Sequence, residues 1–415
     1  MVKVAYFVAE YRTFAGSQKS LLYTMRAWKQ QGGEVLALLP GEGLCAEMYR
    51  QHNIPTFVLP APPSLHLFQR RLLNLSPWRR LCVWLSEVLP YSYHIAKFLQ
   101  KEKCSILHCN STRSVLIAGW LPRWQDIPIL LHVRGKQIDK GLLWSMAQWL
   151  AARILLVANH LRKEVSHPFQ AKTRILYNAI IPEEINFLSL NHINEFPISA
   201  QLPKVITFSS IIPGKGIHHL IQAASLVQRN FPSLFIVAGA ESDKAYATYV
   251  RRLAQELCGR LFVFTGWLAN PYPLLRQSDV AVIATIDGAE NVPTDNPKAT
   301  PLGEGLPRFL LEAMALNKPV VATKIEGNDE IVVDGETGYL VPPADPQALA
   351  EAILRLLKDP SLRHQMGQKG RERVQMLFSL DRHQAKLAQI YAEVVRNRCK
   401  WIGGAHGGVL GLALI

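Results

Sequence analysis

Short apolar runs alternate with amphipathic stretches along almost the whole chain of 415 residues. In the first half, the apolar runs predict buried strands over residues 2–9, 35–39, 56–59, 106–108, 129–133 and 154–158. Helical patterns separate most of these runs, beginning with an amphipathic helix predicted over residues 17–31. Strands that alternate with helices in this way are typical of a parallel sheet covered by helices on both faces.

A polar stretch over residues 186–203 has no periodicity and ends in proline, and we interpret it as a linker between two domains. The alternation then restarts, which predicts strands over 205–208, 234–238, 261–264, 280–284 and 320–323 and helices over 217–228, 246–257 and 307–316. The predicted fold class is therefore α/β, with two Rossmann-like, doubly wound parallel-sheet domains. A chain of this length suits two cores of this kind better than one.

The domain boundaries follow from these patterns. We place an N-terminal domain at 1–185, a C-terminal domain at 204–375, a helix at 376–400 that packs back on the N-terminal domain, and an apolar tail at 401–415. Ligands of open parallel sheets bind beyond the carboxyl ends of the strands, and domain interfaces are preferred ligand sites. We therefore expect the two domains to face a central cleft. A long polar loop at 285–303 is typical of a functional segment.

Positive charge is concentrated in the first half of the chain, which has a formal net charge of +14. Residues 1–185 hold 23 basic against 11 acidic side chains, whereas residues 186–415 hold 23 against 21. Such one-sided charge indicates an anionic partner, either membrane lipid, nucleic acid or an acidic polymer. The sequence has no helix-turn-helix, zinc-finger or RNA-binding signature, so we expect no nucleic-acid partner.

Residues 65–100 combine basic and aromatic side chains in a helical pattern. The residues concerned are Arg70, Arg71, Arg79, Arg80, Phe68, Trp78, Trp84, Tyr91 and Tyr93. A segment of this kind can lie on an anionic membrane surface. The alternative is a pair of helices whose aromatic rings belong to the core and whose arginines are solvated.

Other sequence features bear on the compartment. No charge-free apolar run reaches the roughly 18–20 residues that a membrane-spanning helix needs, and the first residues lack the organisation of a signal peptide. Six cysteines are scattered along the chain, and we interpret Cys104 and Cys109 as small residues near a buried strand rather than metal ligands. These features predict a cytoplasmic protein, peripheral on the inner face of the membrane if the basic segment binds lipid.

The segment 304–312 combines a helix start with two carboxylates. Pro307 suits the first turn of a helix, and Gly305 leaves room for a ligand at the exposed N–H groups. The positive end of such a helix favours phosphate. Glu304 precedes the helix and Glu312 lies two turns in, which separates the carboxylates by about 12 Å at 1.5 Å per residue. That exceeds the roughly 5–10 Å of a glycosidase pair and suits the two ends of an extended nucleotide sugar.

The spacing Glu304-x7-Glu312, followed by Ala-Met-Ala-Leu-Asn-Lys-Pro-Val-Val-Ala-Thr, resembles the signature of the retaining glycosyltransferases of family four, which have the GT-B fold. The resemblance continues through Glu330-Ile-Val-Val-Asp-Gly-Glu-Thr-Gly-Tyr-Leu-Val341 and includes the N-terminal strand and its glycine turn. It therefore spans most of residues 1–395. It implies that the N-terminal domain binds the acceptor and the C-terminal domain binds a nucleotide diphosphate sugar.

The resemblance implies roles for residues of the C-terminal domain. Glu304 contacts the donor sugar, Glu312 contacts the ribose, and Lys215 binds the diphosphate. A lysine on a glycine-flanked loop between strand and helix can neutralise a leaving diphosphate. Three further residues are assigned to the donor site: Gly305, Leu306 and Pro307.

Ser210 departs from the family pattern, although its position assigns it to the donor site. The family commonly has an arginine there that also binds the diphosphate. Loss of one cation from a leaving-group site costs several kcal/mol of transition-state stabilisation. Another basic residue has to compensate, and Arg134 is a candidate.

Gly16 and Asn110 are two further candidate substrate-binding residues, both in the N-terminal half. Gly16 ends the first loop, where the family often has two adjacent glycines and this chain has Ala15-Gly16. The resemblance implies that its backbone contacts donor or acceptor, and the alternative is a plain helix-start glycine. Asn110 follows the strand predicted at 106–108 and is assigned to the acceptor side.

His132 lies at the end of the strand predicted at 129–133, beside Arg134 and Gly135. The resemblance places a histidine here next to the donor sugar, as a catalytic residue together with Glu304 and Lys215. The alternative is a core histidine whose ring nitrogens are satisfied by hydrogen bonds. Arg134 is assigned to the acceptor side.

The implied reaction is substitution at the anomeric carbon with retained configuration, onto a saccharide or lipid-linked acceptor in glycolipid, cell-envelope or exopolysaccharide synthesis. We expect no cofactor and no bound metal, in line with the absence of an Asp-x-Asp triplet. One alternative is a nucleotide-sugar epimerase, which would release free epimerised sugar without an acceptor. The other is a non-catalytic nucleotide- or membrane-binding relative, which Ser210 and the 285–303 loop favour.

Overall fold

The computed structural model describes residues 2–66, 76–137, 141–190, 202–288, 290–295 and 304–397. The chain divides into two compact units. The first unit comprises Met1–Ala179 together with Leu380–Ile415, and the second comprises Ile180–Ser379. Each is an α/β unit built on its own parallel sheet.

The first unit contains a seven-stranded parallel sheet with the order β3-β2-β1-β4-β5-β6-β7. Its strands are β1 Lys3–Phe7, β2 Glu34–Leu39, β3 Thr56–Val58, β4 Ile106–Cys109, β5 Ile129–Val133, β6 Arg153–Leu156 and β7 Thr173–Ile175. Its first helices are α1 Gly16–Gln30, α2 Leu44–Gln51, α3 Pro63–His66, α4 Pro77–Val83, α5 Leu89–Lys101, α6 Thr112–Ala118, α7 Trp120–Trp124 and α8 Leu142–Leu150. The order of the first six strands is that of a Rossmann fold.

The second unit contains a six-stranded parallel sheet with the order β10-β9-β8-β11-β12-β13. Its strands are β8 Lys204–Phe208, β9 Leu234–Ala238, β10 Phe262–Gly266, β11 Val280–Ile283, β12 Val320–Thr323 and β13 Gly338–Val341. Its helices are α9 Pro182–Leu188, α10 Ile217–Asn230, α11 Lys244–Leu257, α12 Tyr272–Gln277, α13 Arg308–Ala315, α14 Asn328–Ile331, α15 Pro346–Lys358 and α16 Pro360–Leu377. This sheet repeats the Rossmann order, so the α/β prediction is confirmed.

Apolar side chains fill the space between each sheet and its helices. In the first unit, Tyr6, Ala37 and Leu130 belong to one buried cluster. In the second, Val237 and Val282 belong to another. Strands buried on both faces read as continuous apolar runs, which is why the sequence pattern predicts most of them.

The division into units differs from the predicted boundaries. The first unit ends at Ala179, and the start of the predicted 186–203 linker lies within α9. Pro182 opens this helix, where its missing N–H group is tolerated, and Ile185 is buried. Residues 191–201 fall outside the described residues.

The C-terminal helix belongs to the first unit. α17, Leu380–Arg396, packs against α1, with the ring of Tyr391 4.9 Å from that of Trp28. The helix predicted at 376–400 therefore begins at Leu380, while Met376 still lies in α16. The apolar tail at 401–415 lies outside the described residues.

Residues 67–75 of the basic, aromatic segment predicted at 65–100 lie outside the described residues, and they include Phe68, Arg70 and Arg71. α4 leads through a π-helical turn, Trp84–Val88, into α5. Trp78 is 77% exposed. Among the described helices, none is both long and apolar enough to cross a bilayer.

Candidate active site

The loop after β8 places a lysine between two glycines. Ser209 and Ser210 follow the strand, and Pro213–Lys215 forms a single 3₁₀ turn. Gly216 has a φ of 60°, and a Cβ atom there would lie 2.0 Å from the carbonyl oxygen of Ala284. Only glycine permits both this backbone conformation and this approach. The loop is thereby held against the end of β11.

Lys215 forms an ion pair with Glu304 through Nζ and Oε1. Oε1 of Glu304 also accepts a hydrogen bond from Thr285 Oγ1 at 2.7 Å, and Thr323 Oγ1 donates to the carbonyl oxygen of Thr285 at 2.6 Å. The side chains of Lys215 and Glu304 are 26% and 12% exposed. Two of the three residues predicted to be catalytic thus lie in contact, in the loops that follow β8 and β11.

The start of α13 differs slightly from the prediction. Pro307 is the residue before the helix, in an extended conformation with φ −68° and ψ 117°, rather than part of the first turn. Pro307, the N-cap residue, makes no side-chain cap hydrogen bond, and the positive end of the helix dipole lies at this end. Gly305 lies just ahead, and Leu306 is buried.

Gly327 packs closely on this segment. A Cβ atom at Gly327, whose φ is 94°, would lie 2.4 Å from the carbonyl oxygen of Gly305. The backbone that follows β12 therefore supports the backbone of the predicted donor-binding segment. Neither a bulky side chain nor a different backbone conformation fits at Gly327.

Glu312 is buried and has partners in the second unit. Its Oε1 accepts a hydrogen bond from Tyr272 Oη at 3.0 Å and one from Arg308 at 3.3 Å, one helical turn earlier. These two side chains hold the carboxylate in a defined position.

Ser210 is exposed at the end of β8. The carbonyl oxygen of Ser210 accepts hydrogen bonds from Ser209 Oγ and from the backbone N–H of Ile212. Its small exposed side chain leaves the site without the arginine of the family pattern.

In the first unit, Asn110 and Arg134 are brought together. Arg134 Nε donates to Asn110 Oδ1 at 2.8 Å, and Arg134 Nη1 donates to Asn178 Oδ1 at 2.9 Å. Asn110 Nδ2 reaches the carbonyl oxygen of Ser17, near the start of α1, at 3.5 Å. Asn110 and Arg134, which are assigned to the acceptor side, therefore form one polar cluster with Asn178 and the carbonyl oxygen of Ser17.

Gly16 is the first residue of α1 and is exposed. The helix starts one residue earlier than predicted. The residue ahead of it, Ala15, receives support from Gln18, whose Oε1 accepts the Ala15 backbone N–H at 3.2 Å. Backbone contact of Gly16 with a substrate remains a prediction.

His132 ends a buried line of hydrogen bonds. Its Nδ1 lies 3.0 Å from Nε2 of His108 on the neighbouring strand, and Nδ1 of His108 lies 2.8 Å from the hydroxyl of Tyr391. That hydroxyl lies 2.9 Å from the hydroxyl of Tyr6. The other ring nitrogen of His132, Nε2, is buried and has no partner among the described residues.

Both imidazoles are neutral at ordinary pH. Burial lowers the pKa of His132 well below its usual value, and the nearby positive charge of Arg134 lowers it further. Burial and Arg134 lower the pKa of His108 in the same way. A neutral His132 presents either a lone pair or an N–H group at Nε2, depending on which tautomer the contact with His108 selects.

Four residues that contact the candidate site residues, directly or through a neighbour, were not predicted from the sequence: Thr285, Tyr272, His108 and Tyr391. For His108 a signal existed, because the sequences Ile-Leu-His108 and Leu-Leu-His132 place a histidine at the end of two neighbouring apolar runs. Thr285 directly follows the predicted strand 280–284. Tyr272 and Tyr391 had no local signal, since their partners are distant in sequence.

Two units, each with a parallel sheet in Rossmann order, are the architecture of the GT-B fold. The solved structure of HepE from Anabaena in complex with UDP-glucose has this fold. It superimposes with a TM-score of 0.73 and 18% identity, covering 95% of this chain and all of that one.

The sequence matches the profile "Glycosyl transferases group 1" over residues 190–373 and the profile "Glycosyl transferase 4-like domain" over residues 15–162. The capsular polysaccharide biosynthesis glycosyltransferase CapM of Staphylococcus aureus is 30% identical over 362 residues, which are 80% of this chain and 88% of CapM. The chain therefore belongs to the group 1 glycosyltransferases, and it is an enzyme of that kind.

Other curated relatives match over a shorter stretch. The N-acetyl-alpha-D-glucosaminyl L-malate synthase of Bacillus anthracis is 36% identical over 203 residues, which are 49% of each chain. The chain likewise spans about half the length, or less, of two further curated relatives that it matches.

Proposed function

We propose that this protein transfers a sugar from a nucleotide diphosphate sugar, with retained anomeric configuration, to a saccharide or lipid-linked acceptor. The contact of Lys215 with Glu304 carries the proposal, because it joins a cation suited to diphosphate and a carboxylate suited to sugar hydroxyls. The HepE structures hold UDP, UDP with glucose, or UDP-glucose, which supports a uridine donor. The description of CapM supports a role in polysaccharide or cell-envelope synthesis.

The chemistry needs stabilisation of a leaving group. The bond between the anomeric carbon and the diphosphate oxygen breaks, the acceptor oxygen bonds to that carbon on the same face, and the acceptor proton passes to the departing diphosphate. Negative charge grows on the diphosphate, and the Lys215 ammonium and the first-turn N–H groups of α13 stabilise it. No step uses a cofactor or passes through a metal ion.

The remaining site residues position the substrates. In this proposal Glu304 binds hydroxyls of the donor sugar, and Glu312, fixed by its two partners, binds the ribose. His132 faces the donor sugar with Nε2, which the structure leaves without a partner among the described residues. Asn110 and Arg134 serve the acceptor.

The test is a thermal-shift screen of the purified protein against UDP, GDP, ADP and their sugar conjugates. We expect selective stabilisation by one nucleotide, and Lys215→Ala should lose it together with turnover, by about 10²- to 10³-fold in kcat. Lys369→Ala removes an exposed lysine of the same unit and serves as the matched control. No stabilisation by any nucleotide, or full activity of Lys215→Ala, contradicts the proposal.

Product analysis separates the transferase from an epimerase on the same fold. A transferase forms a glycosylated acceptor and releases nucleoside diphosphate only when the acceptor is present, apart from slow hydrolysis. Free epimerised sugar in the absence of an acceptor would identify the epimerase instead.

The proposal extends to the membrane surface. Trp78, Arg79 and Arg80 are exposed side by side in α4, and the half of the chain that contains them carries most of the positive charge. Such a surface is suited to anionic lipid, where a lipid-linked acceptor resides. The protein would then act peripherally, on the inner face of the membrane.

A further inference from the structure

Two histidines and a glutamate meet outside the residues assigned to the reaction. His218 and His219 are the second and third residues of α10, and Glu290 lies in the loop that follows β11. His218 Nε2 lies 2.6 Å from Glu290 Oε2. His219 Nε2 lies 2.8 Å and 3.0 Å from the two carboxylate oxygens of Glu290. One ligand atom from each of the three residues lies within 4.8 Å of the others.

We propose that His218, His219 and Glu290 form a divalent metal site, suited to Zn²⁺, that fastens the loop after β11 to α10. Two imidazoles and one carboxylate are a ligand set that zinc uses in proteins, with a water molecule as the fourth ligand. Borderline nitrogen and oxygen donors favour Zn²⁺ over Mg²⁺ or Ca²⁺, which prefer oxygen ligands alone.

The surroundings of His218 are those of a metal ligand. Its Nδ1 lies 2.7 Å from the hydroxyl of Tyr246, a buried residue of α11. A second hydrogen bond of this kind fixes the ring and leaves Nε2 for the metal.

The two ring nitrogens of His219 differ in their surroundings. Its Nδ1 is buried and has no partner among the described residues, so only Nε2 is engaged, and it is directed to Glu290. The two rings lie 4.1 Å apart between centroids. Adjacent residues therefore direct the same ring nitrogen to one carboxylate.

The geometry needs only a small adjustment to accept the ion. Tetrahedral zinc with bonds of about 2.0–2.1 Å separates its ligand atoms by roughly 3.3 Å, whereas the present separations from nitrogen to oxygen are 2.6–3.0 Å. Each imidazole would move its proton from Nε2 to Nδ1, so that the Nε2 lone pair binds zinc and the ring stays neutral. Because Glu290 is on a loop, it can move outward by the few tenths of an ångström required.

The loop is already attached on either side of this point. The N–H group of Ile286 donates to the carbonyl oxygen of Gly214 at 3.1 Å. Further on, Asp243 at the start of α11 accepts from Thr294 and from the backbone of Asp295. Between these two points, the metal would take the place of the hydrogen bonds from Glu290 to the histidines, which begin three residues beyond Lys215 in the sequence. The site is thus structural, and the inference does not depend on the donor or acceptor.

Calorimetric titration of the chelator-treated, dialysed full-length protein with ZnCl₂ tests the site. Wild type is expected to bind one equivalent, and His219→Ala and Glu290→Gln are expected to bind it more than about tenfold more weakly. His364→Ala removes an exposed histidine of the same unit and should bind as wild type does. If His219→Ala does not fold, Glu290→Gln decides, because its loop position tolerates an isosteric change.

Titration with CoCl₂ gives an independent readout. Four-coordinate Co²⁺ absorbs visible light strongly, so wild type should develop this absorption and Glu290→Gln should not. Absence of zinc binding in wild type, or equal binding by wild type and both cluster variants, would overturn the proposal. In that case the three side chains form a hydrogen-bonded anchor and nothing more.

Discussion

Nε2 of His108 lies 3.0 Å from Nδ1 of His132, and both rings are fully buried. His132 has no other hydrogen-bond partner among the described residues, so His108 alone selects which nitrogen of His132 carries the proton. The Tyr391 hydroxyl in turn sets the state of His108. The hydrogen-bonded line therefore determines what His132 presents to a substrate.

We predict that His108→Phe lowers kcat by about 10- to 100-fold while the KM for the donor changes little. The ring volume is kept, but His132 loses its orienting partner, and small misplacements of a reacting group have effects of this size. The pH dependence of kcat should change as well. His108→Gln, which restores a polar group, should recover part of the rate. Unchanged kcat in His108→Phe would show that His132 needs no orientation.

Ser210→Arg should increase activity. The position is exposed at the end of β8, so a long side chain can be accommodated, and a second cation adds stabilisation to the leaving diphosphate. We expect higher kcat or tighter binding of nucleoside diphosphate, measured by steady-state kinetics and calorimetry. Ser210→Ala is the control and should resemble wild type. A folded but slower Ser210→Arg enzyme would mean that the diphosphate lies elsewhere.

Glu312→Ala should destabilise the second unit. The substitution removes the carboxylate beside the buried guanidinium of Arg308 and the hydroxyl of Tyr272, and breaking a buried pair costs about 3–5 kcal/mol. Tyr272→Phe, which removes one hydrogen bond, should cost only about 1 kcal/mol. Urea unfolding measures both. Glu312→Gln is the better variant for testing ribose binding, since it changes the charge with less loss of contact.

Lowering the pH from 6.5 toward 4 should destabilise the first unit through its buried histidines. Burial lowers the pKa of His383 to about 4, against the hydrogen bond that it makes to the Tyr177 carbonyl oxygen. The unfolded chain binds this proton near the usual histidine pKa, so the contribution of His383 is complete above about pH 6.5 and is lost as the pH falls toward 4.

Each buried histidine with a lowered pKa should reduce the free energy of unfolding by about 1.4 kcal/mol for each pH unit below 6.5. His108 and His132 act in the same direction as His383. Denaturant unfolding across this pH range measures it. His383→Gln should reduce the slope, while the exposed control His364→Gln should not. An equal slope in all three proteins would contradict the prediction.

Vesicle binding should depend on α4. Vesicles that contain phosphatidylserine should bind the protein at low salt and release it at high salt, since each basic residue near the surface contributes about 1 kcal/mol and salt screens it. Arg79→Glu combined with Trp78→Ala should abolish binding. Trp124→Ala, in α7 and 68% exposed, is the control. Equal binding to neutral vesicles would contradict an electrostatic surface.

The sequence pattern predicted the strands well where they are buried on both faces. β5, β9 and β12 have the predicted bounds, because each is a continuous apolar run. β7 and β13 were missed. They lie at the edges of their sheets, and Thr173-Arg-Ile175 is too short and polar to stand out. Position at an edge does not by itself explain these omissions, because the edge strands β3 and β10 were predicted.

The candidate site was predictable residue by residue but not as an arrangement. Lys215 and Glu304 were each identified, yet their pairing joins positions 89 residues apart and required the fold. His132 shows the limit most clearly, because the fold fixes its partner in the core, while its contact with a donor sugar stays a prediction. One ring nitrogen is satisfied in the core, while the other is not.

The return of α17 to the first unit has a consequence for how the chain is made. The second unit, Ile180–Ser379, is one continuous segment, whereas the first is assembled from two segments that flank it. Domains generally fold as units during synthesis. The second unit can therefore fold as soon as it leaves the ribosome, while the sheet that was synthesised first waits for its last helix. His108 meets Tyr391 only at that final step, so the hydrogen-bonded line that orients His132 is completed by nearly the last described residues to be made.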